Sequence, residues 1–435
     1  MKNIIIKCIS LFLIIGFVSC NIDTVENPNG PTQESYANEA TLAQLNLLTT
    51  GVEAIMRNDM EFYYQTVSIV GREYYDLNGT DPRYTGELLG AGDGMGVLDN
   101  NGFLTTRSFS ARYRAVRSAQ NLISAVENSA AGLDDQGKNG YYSFANTVKA
   151  YQLLLVLNRQ FQNGIRVDVS DPDNLGPFVS YDEGLSEIRS LLNTALAQAN
   201  DSGGSFAFDL SSGFDGFADP QGFAQFINAL LARVEIYANN KQAALSALDN
   251  SFISETGDLN AGVYHVFSGG GNDQLNPLFY ALNQNNYMAH PTYVTDAEAG
   301  DARLDKVARV SEAIMIDNLS SEDQVQLYAS NDAPVGIIRN EELILLRAEA
   351  LIGSDNTGAI ALLNIIRNAY GLSDYGGADN DEALVDELLQ QRRYSLFGEG
   401  HRWIDMRRYG RLGELPIDRS GDEIFEQFPR PILEG

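Results

Sequence analysis

The chain has three histidines, His265, His290 and His401, and they stand far apart. No H-x-x-x-H or H-E-x-x-H spacing places two imidazoles on one helix face, which argues against a zinc hydrolase. Its two cysteines, Cys8 and Cys20, both lie near the N-terminus, so the body of the chain offers neither a thiolate metal site nor a disulfide. No Gly-x-Ser-x-Gly turn occurs, and the glycine-rich run from Gly90 to Gly96 lacks the Lys-Ser/Thr that would cradle a phosphate, so it reads as a flexible loop. Glu399, Arg402, Asp405 and Arg408 set acids beside bases at steps of three. Such steps share one helix face, and the expected product is an ion-pair network that fixes helices. No catalytic residue, metal ligand or cofactor is assigned.

The residues better suited to chemistry are those that could hold a ligand. Sugars present C–H faces that stack on aromatic rings, and hydroxyls that need Asn, Asp or Arg partners. The stretch from Gly71 to Tyr84 supplies Tyr74, Tyr75 and Tyr84 beside Asn78, Asp81 and Arg83. A second cluster holds Phe279, Tyr280, Asn283, Asn286, Tyr287 and Tyr293. Local packing of these rings is the competing reading in both clusters. The only tryptophan, Trp403, lies within the charged block and is expected in the core.

Most of the chain that must position these residues has helical periodicity. Leu185, Ile188, Leu192, Ala195 and Ala199 follow a 3.6-residue period behind the capping box Ser180-x-x-Glu183. A similar apolar stripe runs from Tyr141 to Phe161, period-2 strands are scarce, and the glycine-rich stretches 86–102, 201–222 and 268–277 read as loops. A repeat recurs at an offset of 114 residues: Arg233-x-Glu235 before Ala247-Leu248, and Arg347-x-Glu349 before Ala361-Leu362. Each copy reads as a helix, a short polar turn and a second helix with small residues facing back, the packing logic of tetratricopeptide pairs. An Arg–Glu spacing of two does not share a face, so neither pair is read as an internal salt bridge.

At the N-terminus, Lys2 and Lys7 supply positive charge ahead of an apolar run, Ile9 to Val18, that is shorter than the ~20 residues of a membrane-spanning helix. The run ends in Phe17-Val18-Ser19-Cys20, which reads as a lipobox with Cys20 as the lipidated residue. Two or three acyl chains, at ~0.8 kcal/mol per buried methylene, would make a stable anchor. Residues 1–19 then form a signal peptide, 20–35 a polar lipidated tether and 36–435 one domain. Loss of 1–19 removes two lysines and no acid, taking the net charge from −28 to −30. That charge argues against nucleic acid as a partner and against a body lying on an anionic membrane, so membrane contact is expected through the lipid alone.

Three stretches carry a family resemblance. One runs from Ile338-Arg339-Asn340-Glu341-Glu342 through Leu346-Arg347-Ala348-Glu349-Ala350 to Arg367 and Gly371-Leu372. The second, and most specific, is Gln391 to Arg408, with Glu399-Gly400-His401-Arg402 and Asp405. The third pairs Gly300-Asp301-Ala302-Arg303 with Phe428-Pro429-Arg430-Pro431. In this order, behind a lipobox, they resemble the SusD/RagB family of outer-membrane nutrient-binding lipoproteins. Ala111-Arg112-Tyr113 to Ile123 and Phe223 to Leu248 resemble its earlier helices, while Gln391, Ser395 and Gly398 depart from the usual residues.

The resemblance implies an all-α fold: tetratricopeptide-like helix pairs in a right-handed superhelical scaffold, with a loop-rich half that carries the ligand. It implies a surface-exposed outer-membrane location, no enzymatic activity and a SusC-like TonB-dependent transporter barrel as partner. The expected ligand is an oligosaccharide contacting Tyr74, Tyr75, Asn78, Asp81, Arg83 and Tyr84, with Tyr287 and Tyr293 as further contacts. A peptide, as in the RagB branch, is the alternative. A helical glycoside hydrolase is the rival class and would need two carboxylates ~5–10 Å apart across a cleft.

Overall fold

The computed structural model describes residues 39–434 apart from 91–96, 172 and 272. The signal-peptide and tether assignments, Cys20 and most of the Gly90–Gly96 run lie outside the described residues. Helices dominate the remainder. Helix α1 (Leu42–Ile55) and α2 (Met60–Val70) lead into a long pair, α3 (Phe103–Glu127) and α4 (Asp135–Gln160), followed by α5 (Tyr181–Asn200), α6 (Pro220–Tyr237) and α7 (Lys241–Asp249). After a strand-rich interval come α8 (Pro291–Thr295), α9 (Asn340–Leu351), α10 (Asn356–Ala369), α11 (Asp381–Ser395) and α12 (Arg402–Arg408). From α3 to α7 each helix packs on the next, and α9 continues the stack by packing on α7 and α10. No helix among the described residues is long and apolar enough to cross a membrane.

Local chemistry sets the helix boundaries. Ser180 caps α5, its hydroxyl accepting from Glu183 N while Glu183 Oε2 accepts from Ser180 N at 2.9 Å, and the whole apolar stripe behind it is buried. Helix α6 begins at Pro220, whose missing N–H costs nothing at N1, under an Asp219 cap on Gly222 N at 2.8 Å. The loop expected over 201–222 therefore ends at Asp219. The Arg-x-Glu repeats lie on α6 and α9, and each side chain reaches a different helix. Arg233 pairs with Glu342, Glu235 with Arg189, Glu349 with Arg408, and Arg347 with Asp249 and Glu255.

Helix α9 is buried nearly all round because it separates two cores. Leu343, Leu346 and Ala350 join the main core. Ile344, Leu345 and Ala348 join a second one with Leu362, Leu363, Ile366, Leu384 and Leu388 from α10 and α11.

Strands are more developed than the sequence suggests. A four-stranded antiparallel sheet has the order β1 (Tyr74–Asp76), β5 (Tyr287–Ala289), β7 (Leu319–Val325), β6 (Val307–Ile316). Two-stranded ladders join β2 (Ile165–Arg166) to β3 (Phe178–Val179) and β4 (Gly262–His265) to β8 (Val335–Arg339). Strand β7 hid its period because its inward positions include Ser321 and Asp323, so alternation of burial is not alternation of hydrophobicity.

The C-terminal block is ion-paired, but only Asp405 and Arg408 pair at the expected step of three, while Glu399 pairs with Arg339. Asp405 receives Arg392 at 2.7 Å and Arg408 at 2.8 Å, and Arg408 also reaches Glu349 at 2.8 Å, all inside the molecule. Trp403 is fully buried and donates to Phe425 O at 2.7 Å. The residues that depart from the usual pattern fit their places. Ser395 Oγ accepts from Arg303 at 3.0 Å, and Gln391 donates to Glu387 at 2.8 Å. Gly398 has φ +72°, and a Cβ there would stand 2.4 Å from Leu327.

Candidate functional site

Strand β1 leaves α2 through Arg72, whose φ of +56° turns the chain, and pairs with β5 in the register Tyr74↔Ala289, Tyr75↔Met288, Asp76↔Tyr287. This pairing joins the two clusters singled out in the sequence, but it buries much of both. Tyr74 is 1% exposed and packs edge-on against Tyr287 and Phe397. Tyr75, on the opposite face, is 2% exposed against His290. Tyr293 is 1% exposed, stacks on Phe397 with centroids 4.0 Å apart, and donates its hydroxyl to Arg303 O. The ligand contacts expected at Tyr74, Tyr75 and Tyr293 fall on buried side chains, the first two on a strand covered on both faces and the third on α8.

Other expected residues hold the loop together. Asn78 donates to Asp76 Oδ1 at 2.7 Å and accepts from Asn286 N at 2.8 Å, stapling the end of β1 to the entry of β5. Tyr287 is half-buried, stacked on Tyr280 with centroids 3.8 Å apart, and its hydroxyl accepts from Gln65. Tyr84 is half-buried with its ring edge toward Phe103. Burial pushes the Tyr84 hydroxyl up, with Asp76 and Asp81 adding to the shift, so it stays a neutral donor and acceptor. Arg72 is not a free cation. Its guanidinium donates to Pro416 O, Leu89 O and Glu423 O.

Asp81 and Arg83 lie elsewhere. They face an open cleft of about 700 Å³, whose other polar walls are Glu87, Asp99 and Asn100. Val97, Leu98 and Pro429 supply its apolar surface. Asp81 Oδ2 accepts from Arg83 at 2.6 Å and Oδ1 from Arg83 Nε at 2.9 Å, a fork that holds both at the rim with side chains 24% and 38% exposed. The Arg83 hydrogen bonds keep the Asp81 carboxyl below its ordinary range. The guanidinium also lies over Phe103, 4.3 Å from the ring centre. Glu87 Oε1 accepts from Asp99 N at 3.0 Å, and burial pushes its carboxyl up against that bond. Glu87, Asp99 and Asn100 fell inside a stretch read only as loop, and Pro429 comes from the far end of the chain. The sequence signal for them was thin: polar residues beside the apolar pair Val97-Leu98.

Residues 279–431 match the sequence model of the SusD family. That match covers the charged C-terminal block and β5 to β8, and the solved SusD-like structures share the fold over nine-tenths of the chain. The SusD/RagB resemblance is thus supported by a family match over residues 279–431, and beyond that stretch by likeness of fold. Over 95 residues it is 34% identical to SusD-like protein P38 of Formosa agariphila, a stretch covering 20% of this chain and 19% of that relative. A SusD superfamily protein from Bacteroides vulgatus superimposes with a TM-score of 0.67 at 17% identity, covering 90% of this chain and 96% of the other. Surface glycan-binding protein A from Bacteroides thetaiotaomicron, solved in complex with laminarihexaose, gives 0.68 at 12% identity, with 91% and 97% covered. At these identities the likeness to the SusD structures is one of fold. The helical scaffold expected from the SusD/RagB resemblance is the one observed.

Proposed function

We propose that this protein is a surface-exposed outer-membrane lipoprotein, anchored through Cys20, that captures oligosaccharides and delivers them to a SusC-like TonB-dependent transporter barrel. The observation that carries the binding step is the cleft at Asp81 and Arg83: open, about 700 Å³, with charged donors and acceptors above an apolar strip. Hydroxyls along one edge of a glycan chain need such partners, while its C–H faces need the apolar surface. A SusD-fold relative solved with laminarihexaose supports a glycan ligand, and the −30 charge of the processed chain disfavours polyanionic ones.

Titration calorimetry with laminarihexaose and a panel of neutral glycans tests this reading. Arg83→Ala should weaken binding by roughly tenfold or more, the worth of a charge-assisted hydrogen bond, with the melting temperature unchanged. Wild-type affinity in that variant moves the site, and tight binding of peptides with none of glycans selects peptide capture. The hydrolase rival has Asp81 and Glu87 in the cleft to draw on. Asp81 is locked in a fork to Arg83, which makes it a weak base. Glycan cleavage with turnover would nonetheless replace the binding reading.

A further inference from the structure

A groove of about 560 Å³ runs between the end of α5, the first half of α6 and the end of α7. Helix α6 turns one stripe toward it, with Gln221, Gln225 and Asn228 at helical spacing. Five side-chain amides line the groove, those three with Asn200 and Asn250, and no charged residue does, although 20% of the chain is charged. Asn228 and Asn250 each spend one N–H on the carbonyl four residues earlier, at 2.9 and 2.8 Å. Asn228 is 8% exposed, and its oxygen accepts from no donor among the described residues. Asn200, Gln221 and Gln225 make no side-chain hydrogen bond among those residues, so their donors and acceptors are free for an occupant.

Primary amides offer donors and acceptors together without charge, the pattern that pairs with polypeptide backbone. The chain itself brings such a backbone close by. Glu39 N donates to Asn128 O and Ala130 N to Ala40 O, which places the start of the described residues just past the end of α3. The groove opens at the same end of the stack, since a Cβ on its rim residue Gly203 would stand 3.0 Å from Gln136 in the first turn of α4. Two helix-to-helix steps of ~8–10 Å separate α3 from α5, and residues 34–38 bridge ~20 Å when extended. Residues 27–33, Asn-Pro-Asn-Gly-Pro-Thr-Gln, are as free of charge as the groove. Pro28 and Pro31 have no N–H, so this run carries more backbone acceptors than donors, and the free amide N–H groups of Asn200, Gln221 and Gln225 supply the difference. Leu196, Ala199 and Ala224 give the proline rings an apolar floor. We infer that the groove holds residues 27–33 of this chain as an extended segment. Cys20 then lies seven residues away, within ~25 Å of the groove. Where Cys20 carries the proposed lipid, this end of the helix stack faces the bilayer; only that consequence rests on the anchor.

Distance measurement between two spin labels tests the inference. With Cys20→Ser, residues 20–435 hold no cysteine, so labels at Glu26→Cys and at Ala197→Cys, exposed on α5 beside the groove, are the only two. A single narrow distance is expected, unchanged when labelled protein is diluted with unlabelled chain. Gln221→Ala with Gln225→Ala should spread that distance at an unchanged melting temperature. Should that variant melt early, Pro28→Gly with Pro31→Gly changes only the occupant and should spread the distance likewise. A broad distribution in the parent, or a narrow one that both variants leave unchanged, would overturn the inference. So would a distance that disappears on dilution, which gives the groove to the segment of a second copy. Loss of laminarihexaose binding in the amide variant would give the groove to a glycan and overturn it as well.

Discussion

Replacing Glu73 by glutamine should stabilise the protein, and only at neutral and alkaline pH. Glu73 stands just before β1 and is wholly enclosed. Its Oε1 accepts from Gly398 N at 3.0 Å, and its Oε2 has no partner among the described residues. Burial pushes its carboxyl from the ordinary 4.5 up to about 7, against the opposing pull of the Gly398 N–H and the nearby Ser68 hydroxyl. Between those values the folded chain binds more protons than the unfolded one, so stability falls as pH rises through 4.5 to 7 and is lowest above 7. At ~1.4 kcal/mol per pH unit, that gap amounts to ~3 kcal/mol. Glutamine keeps the oxygen that Gly398 uses and carries no charge. Urea denaturation followed by Trp403 fluorescence should place Glu73→Gln ~2–3 kcal/mol above the parent at pH 8, closing to under ~1 kcal/mol at pH 5, with equal slopes. A difference that does not change with pH, or a variant less stable at pH 8, would refute the reasoning.

Tyr75→Ala should cost ~3–5 kcal/mol of stability by emptying a core site, and leave laminarihexaose affinity at wild type below its lowered melting temperature; calorimetry checks both. Asp405→Asn leaves Arg392 and Arg408 without their buried carboxylate and should cost ~3–5 kcal/mol in chemical denaturation. Burial alone would raise that carboxyl, but Arg392 and Arg408 hold it at about 2, so its contribution is present above its ordinary 3.8 and lost as pH falls toward 2. The Asn variant and the parent should therefore converge in strong acid. Cys20→Ala should release the protein from the outer-membrane fraction when cells lack the barrel; unchanged fractionation would remove the anchor.

The elements most legible in the sequence were those whose signals are local. The capping box at Ser180, the stripe on α5 and the Asp405–Arg408 pair depend on residues within a few positions of one another. The burial of Tyr74 and Tyr75 was not legible because burial on both faces of a three-residue strand leaves no period to detect. One face of β1 meets Phe397 and the other meets His290, contacts more than 200 residues distant in sequence. The sheet was missed because its inward positions include Ser321 and Asp323. The cleft was half visible: Asp81 and Arg83 announced themselves as polar neighbours of tyrosines, while Pro429 could be placed only by knowing where the tail returns.

That return has a consequence for how the protein comes into being. The tail docks backbone to backbone on the N-terminal half: Glu423 N on Leu89 O, Phe428 N on Arg159 O, Ile432 N on Asn100 O. Gly90 lies so close that a Cβ would stand 2.6 Å from Glu423 N. Helices α3 to α7 can begin to pack as they are synthesised, since each meets its neighbour in order. The cleft cannot form on that schedule, because its wall at Asn100 waits for residues made more than 300 positions later. On the proposed reading of the cleft, ligand binding would report completion of the fold to its far end, and a chain clipped before Phe428 would keep its helices and lose that wall.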